Sequence, residues 1–161
     1  MDRVVLGIGG NLGDREALLK DAVRHLESKM RIVKKSSIYE TAAWGGNSSL
    51  PYLNQVVVME TGMSPEEVLD FVQEVEQQHG RVRNERWGDR TMDIDILYFG
   101  KQIIHTDRLQ VPHPRLPHRN FVLKPLAEVL PDFLHPKNGL SQKELLERCG
   151  DTLSVRLWPG T

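Results

Sequence analysis

The sequence predicts an α+β fold, helices packed on a sheet, on three observations. Apolar spacing alternates between the period of strands and that of helices in the order strand, helix, strand, strand, helix, strand over roughly the first hundred residues. Helix starts are marked by serine N-caps at Ser64 and Ser141, each followed three residues later by glutamate. No linker, internal repeat or compositional break divides the 161 residues, so residues 1–161 read as a single domain around one core.

Arg3 to Gly9 is an apolar run of strand length that ends in glycines, and from Asp14 a helical stripe follows through Leu19, Ala22, Val23, Leu26 and Met30. Arg31 to Tyr39, with Ile32, Val33, Ile38 and Tyr39 among polar residues, reads as the second strand. After a Gly/Asn/Ser loop, Asn54 to Thr61 reads as the third. Ser64-Pro65-Glu66-Glu67 opens a helix whose Val68, Phe71, Val72 and Val75 face the core, and His79-Gly80 closes it. Thr91 to Phe99 is a fourth strand, in which Met92, Ile94, Ile96 and Tyr98 alternate with Asp93, Asp95, Leu97 and Phe99. This order is that of a ferredoxin-like βαββαβ sandwich, a sheet with two helices on one face. Beyond Gly100 a short hairpin, the proline-rich stretch Val111 to Pro117, a helix around Phe121 to Leu130 and a last helix opened by Ser141 read as C-terminal additions.

Composition excludes several function classes. With 39% hydrophobic and 27% charged residues the chain is neither disordered nor fibrous, and no apolar run approaches the roughly 18 residues of a membrane span. The start MDRVVLGIGG lacks the apolar segment and cleavage site of a signal peptide, so a cytoplasmic location without a membrane partner is expected. Cys149 is the single cysteine, which rules out an internal disulfide and a cysteine-based zinc site within this sequence. Twenty-one Lys+Arg against 22 Asp+Glu give a net charge of −1, no signature of a nucleic-acid binder, so any anion binding must come from local clustering.

Such clustering occurs in RVRNERWGDRTMDID, Arg81 to Asp95, where four arginines and a tryptophan precede two aspartates. Residues two apart on a strand project from one face about 7 Å apart, so Asp93 and Asp95 present two carboxylates side by side. Hard divalent ions such as Mg²⁺ are bound this way, through one or two carboxylates plus waters and substrate phosphates, and guanidinium groups fork onto phosphate oxygens. Together they suit a nucleotide polyphosphate. The alternative is ordinary salt bridging of Asp93 and Asp95 with Arg86 and Arg90 on a solvated face.

Other motifs carry less. In Gly7-Ile8-Gly9-Gly10-Asn11-Leu12-Gly13 the third glycine falls one position late for a dinucleotide fingerprint, and no G-x-x-x-x-G-K-[ST] exists, so the glycines are read as a tight turn. His113 and His118 lie five apart with no third ligand nearby, which argues against zinc. Tyr52 and Asn54 share a strand face that suits stacking on a flat ring and hydrogen bonding to its edge, with simple packing of Tyr52 as the alternative.

RWGDRTMDIDIL, preceded by GRVR and followed by VPHPRLPHRNFVLKPL, resembles the 6-hydroxymethyl-7,8-dihydropterin pyrophosphokinases of folate biosynthesis. Gly9-Gly10-Asn11-Leu12, Tyr39-Glu40-Thr41, Tyr52-Leu53-Asn54 and Gln73 to Glu76 resemble that family's marks in that family's order, so the likeness runs nearly end to end. It implies transfer of the pyrophosphoryl group of ATP to the pterin hydroxymethyl group with release of AMP. By resemblance, Asp93 and Asp95 would hold two Mg²⁺ ions and, with Arg81 and Arg90, form the catalytic set. ATP would be bound by Gln73, Glu76, Arg81, Arg83, Arg86, Trp87, Arg90, Ile96, His113 and Arg119, with Arg86 and Trp87 on a loop that closes over it. The pterin would lie between Tyr52 and Phe121, with Asn54, Thr41, Ala42 and Trp44 completing its site. Gly10 and Ala42-Ala43 depart from the family's more frequent serine and prolines, and Asp89 from its usual proline or small residue.

The rival class is an RNA- or nucleotide-binding module without catalysis, since the same element order builds RNA-binding domains that stack bases on sheet aromatics. Here the first strand reads VVLGIG and the third NQVVVMET, and the carboxylate pair would repel a phosphate backbone. A monomer acting on ATP and a pterin, without nucleic acid, is the expectation.

Overall fold

The computed structural model describes residues 1–41, 50–80 and 92–159. In chain order the elements are β1 (Asp2–Gly10), α1 (Arg15–Leu26), β2 (Arg31–Lys35), β3 (Tyr39–Thr41), β4 (Tyr52–Thr61), α2 (Pro65–Gln78), β5 (Asp93–Phe99), β6 (Ile104–His105), β7 (Gln110–Val111), a 3-10 turn (Leu116–His118), α3 (Asn120–Val129), α4 (Gln142–Arg148) and β8 (Val155–Leu157). The main sheet is antiparallel in order β5-β1-β4, with β2 and β3 sharing the far side of β4 and β8 pairing outside β3. A separate hairpin is formed by β6 and β7.

Both expected capping boxes are present. The Ser64 and Ser141 hydroxyls accept from the backbone N–H of Glu67 and Glu144, whose carboxylates accept in return from the serine N–H groups. Asp14 caps α1 through Ala17 N at 3.3 Å, after a turn that Gly13 makes with φ +74°.

Two expectations are corrected. The strand expected from Arg31 to Tyr39 is two strands, because Val33 and one of the residues 36–38 are surplus to the β4 register. Ser36 fills the break: its N–H donates to Val56 O at 2.8 Å, while its hydroxyl accepts from Val56 N at 2.9 Å. The alternation expected along Thr91 to Phe99 also fails at its end. Leu6 pairs with Ile96 and Val5 with Tyr98, which leaves Leu97 as a bulge and moves Tyr98 to the face opposite Ile94 and Ile96.

Of the C-terminal additions, α3 and α4 form a third layer, while Leu109 and Val111 of the hairpin region join the core of α1 and α2. On one face of the sheet, Leu6, Ile8, Leu53, Val57, Ile94 and Ile96 pack against the apolar stripes of α1 and α2. On the other, Val5, Val56, Val58, Leu97 and Tyr98 pack against Leu123, Leu126 and Val129 of α3 and Leu145 of α4. Among the described residues no helix is long and apolar enough to cross a membrane.

The α3 layer is therefore structural. Leu123→Ala, at a side chain with 0% exposure, is expected to cost about 2–5 kcal/mol in urea unfolding, whereas Ile103→Ser, at a residue 54% exposed, is expected to stay within about 0.5 kcal/mol of the parent.

Candidate functional site

The ends of three strands meet at one end of the sheet: β1 finishes there, and β4 and β5 begin there. In one row of paired residues Tyr39, Asn54, Gly9 and Asp93 lie side by side, and in the next row but one come Val56, Gly7 and Asp95. Directly paired residues share a face, so Asn54 and the two aspartates lie on the face that α3 covers, beyond the apolar residues it buries. Asp93 and Asp95 thus sit on one side of one strand, as the sequence spacing predicts, and both remain partly exposed.

The central strand contributes space rather than side chains. A Cβ at Gly9 would lie 2.4 Å from Asn54 Oδ1 and 3.0 Å from Leu53 O, so only glycine lets the Asn54 amide lie across β1. The glycines read as a tight turn have this second role at Gly9. The Asn54 Nδ2 donates to Thr41 Oγ1 at 3.4 Å, and both residues are buried. Tyr52, directly opposite Thr41, is half-buried.

The bulge places the next group. Leu97 O accepts from His113 N at 3.0 Å, which pins the proline-rich loop beside β5. His113 Nδ1 accepts from Arg115 N at 3.2 Å, so in the neutral ring the proton is on Nε2, which lies 3.9 Å from Asp95 Oδ1. Burial pushes the His113 pKa down to about 4, with the Arg119 and Arg115 cations acting in the same direction and Asp93 opposing them. His113 is therefore a neutral donor at neutral pH.

Arg119 reaches the same place from the start of α3. Burial lowers its pKa, while Asp95 and Asp93 raise it, and its guanidinium lies 5.4 Å from the centroid of the half-buried Phe121 ring. That end of α3 has no side-chain cap of its own; the Asp151 carboxylate accepts from Asn120 N at 3.0 Å.

From α2, Glu76 Oε2 accepts the N–H of Ile94, the residue between the two aspartates, at 2.8 Å. Glu76 is 3% exposed, and Gln73, three residues earlier, is half-buried. The Ile96 side chain is in the core under α1 and α2. Arg81, Arg83, Arg86, Trp87 and Arg90, together with Ala42 and Trp44, lie outside the described residues.

Two carboxylates on one strand face suit a hard divalent ion that keeps waters and substrate phosphates in its shell, and Arg119 and the His113 Nε2–H suit phosphate oxygens. Among the described residues no group of three or more His, Cys, Asp or Glu could hold a metal by itself. A metal here would need ligands beyond these described side chains.

The family model for 7,8-dihydro-6-hydroxymethylpterin-pyrophosphokinase matches residues 5–131. The chain belongs to that family. The pyrophosphokinase match contains every residue of the site except Asp151. Among curated relatives, the 2-amino-4-hydroxy-6-hydroxymethyldihydropteridine pyrophosphokinase of Bacillus subtilis is 40% identical over 95% of this chain and 88% of its own length. The protein of the same name from Aquifex aeolicus is 40% identical over 84% of this chain and 85% of its own. The crystal structure of wild-type Plasmodium falciparum HPPK-DHPS with SDX-DHP shares the fold at a TM-score of 0.70 and 17% identity, covering 91% of this chain. This chain spans 43% of that solved chain.

Sequence reasoning missed the role of Gly9 and the support from Asp151. Gly9→Ala is expected to keep the far-UV circular dichroism of the parent while lowering kcat/KM by about 100-fold, because Asn54 must leave its place. Glu76→Ala leaves the Ile94 N–H unpaired and is expected to cost about 1–3 kcal/mol in urea unfolding, and Glu76→Gln, which keeps a carbonyl acceptor, less.

Proposed function

We propose that this chain transfers the β,γ-pyrophosphoryl group of ATP to 6-hydroxymethyl-7,8-dihydropterin in folate biosynthesis. The observation that carries the reading is the meeting, in a chain of this family, of the Asp93 and Asp95 pair, His113 and Arg119 at the sheet end that also holds Asn54 and Thr41.

In this reaction the pterin hydroxymethyl oxygen attacks the β-phosphorus of ATP. The bond from that phosphorus to the oxygen bridging to the α-phosphorus breaks, AMP leaves with that oxygen, and the hydroxyl proton goes to solvent. Catalysis of such a step is alignment and charge neutralisation more than covalent help. Asp93 and Asp95 would hold two Mg²⁺ ions, which neutralise phosphate charge and acidify the attacking hydroxyl when bound. Arg119 and the His113 Nε2–H hold phosphate oxygens, and Arg81, Arg83 and Arg90 do the same from the segment before β5. Arg86 and Trp87 close over the nucleotide. Gln73 and Glu76 border the nucleotide side, where Ile96 on the edge strand β5 offers its backbone. Tyr52 and Phe121 stack on the pterin ring, whose polar edge bonds to Asn54 and Thr41, with Ala42 and Trp44 beside it. Arg81, Arg90, Asp93 and Asp95 are the catalytic set.

The core is read as ferredoxin-like, because β1, α1, β2, β4, α2 and β5 come in that chain order, with the short β3 between β2 and β4, and the strand order is β5-β1-β4-β2. The chain is read as one domain over residues 1–161, a cytoplasmic monomer. An RNA-binding reading would need an open sheet face for stacking, and α3 and α4 cover the face opposite α1 and α2.

Incubation with ATP, Mg²⁺ and the pterin is expected to yield AMP only when the pterin is present. ADP, or no turnover despite ATP binding, would overturn the reaction. Asp93→Ala and Asp95→Ala are expected to fold and to lose Mg²⁺-dependent turnover by several orders of magnitude; near-parental rates in both would remove the metal assignment.

A further inference from the structure

Glu40 is a charged residue inside a strand, 6% exposed, and its pairing with Leu53 puts it on the face of the sheet away from Thr41, Tyr52 and Asn54. It cannot touch a ligand on their side. Both its oxygens are taken: Oε2 accepts from Arg15 Nη1 of α1 at 3.0 Å, and Oε1 accepts from Arg156 of β8, through Nε at 3.0 Å and through Nη2. These hydrogen bonds hold its carboxyl below the usual range, Arg156 first, against the opposing effect of burial.

The same arginine holds the neighbouring strand. Arg15 Nη1 also donates to Pro51 O at 2.9 Å, and Asn11 Nδ2 to Leu50 O at 3.1 Å, which fixes the start of β4. Arg15 therefore bridges β3 just before Thr41 and β4 just before Tyr52, two residues that face each other across the ladder. β3 has three residues and its outer partner β8 has three, so the ladder alone holds little. The C-terminal segment is locked in turn: Trp158 N donates to Ile38 O at 2.9 Å, Trp158 Nε1 to Glu16 Oε1 at 2.7 Å, and Arg15 lies 5.0 Å from the Trp158 ring centroid.

We propose that Glu40, clamped between Arg15 and Arg156, is a positioning residue that sets pterin affinity from behind the sheet by fixing Thr41 and Tyr52 relative to each other. The proposal rests on the reading of Thr41, Tyr52 and Asn54 as pterin contacts. Removing one partner of a buried carboxylate leaves charge uncompensated, so the strands shift rather than tolerate it.

The test compares Glu40→Gln, Arg15→Gln and Arg156→Gln in the full chain, with folding followed by circular dichroism. Pterin binding is read by pterin fluorescence with Mg²⁺ and a non-hydrolysable ATP analogue present, and analogue binding by calorimetry. The expected result is a dissociation constant and KM for the pterin raised about tenfold or more, with kcat and analogue affinity within about twofold. Arg15→Lys, which keeps one donor, should fall between Arg15→Gln and the parent. Equal loss of affinity for both substrates, or unchanged pterin affinity in the folded variants, overturns the proposal. If Glu40→Gln fails to fold, Arg156→Gln decides, because that side chain is 75% exposed. Asn54→Ala and Tyr52→Ala separate the two layers of the argument: unchanged pterin binding in these removes the contacts and the clamp's role together, whereas lost binding here with intact binding in Glu40→Gln removes the clamp alone.

Discussion

The antiparallel pairing of a nearly side-chain-free strand end between two others is the constraint on which the site depends. β1 brings Gly7 and Gly9 between β4 and β5, so Asn54 and Asp93 flank one glycine while Val56 and Asp95 flank the other. Neighbouring strands lie about 4.8 Å apart, so the backbones of Asn54 and Asp93 are two strand spacings from each other, and the Asn54 amide occupies the space over Gly9 between them. A larger residue at Gly9 would take the Asn54 side chain's place. Were the register slipped by one residue, Asn54 and both aspartates would turn toward α1 and α2, into an apolar core that cannot hold them.

The bulge at Leu97 couples this row to the rest of the molecule. By adding one residue to β5 it turns Tyr98 into the α3 layer and Phe99 into the α1 and α2 layer, so one strand feeds both cores. Its carbonyl then binds the backbone of His113. On the other edge of the same strand segment, Glu76 takes the N–H of Ile94. The strand that carries the acid pair is thus held by β1 along one side and by a helix side chain and a loop backbone along the other. Among the described residues β5 is an edge strand, and these contacts hold its two like charges in place.

What the sequence made legible follows from the range of the interactions involved. Capping boxes, the β5 carboxylate pair and the strand and helix order are local, set by residues within one or two turns or pleats, and Ser64, Ser141, Asp93 and Asp95 stand as the spacing indicates. The break at Ser36 and the bulge at Leu97 were hidden because each depends on the length of a partner strand far along the chain. Strand β8 was hidden for a related reason: Val155–Leu157 has no pattern of its own, and it is a strand because Arg156 finds Glu40 and Trp158 finds Ile38. One signal was available. Glu40 follows Ile38 and Tyr39 in a stretch that reads as strand, so its carboxylate, like those of Asp93 and Asp95, calls for a partner.

The electrostatics of the cluster turn on the charge state of His113. Asp93 and Asp95 lie on the sheet, Arg119 faces them from the start of α3, and Arg115 adds a second guanidinium near His113. A protonated His113 would add a further positive charge at 3.9 Å from Asp95. Burial and the neighbouring guanidiniums of Arg119 and Arg115 hold the imidazole neutral against the pull of Asp93. Its Nδ1 is committed to the Arg115 backbone, so what it offers the site is a single N–H without a charge. Such a donor can bond a phosphate oxygen without competing for the carboxylates that a divalent ion requires. The carboxylate pair and the uncharged donor therefore lie side by side, with His113 Nε2 3.9 Å from Asp95 Oδ1.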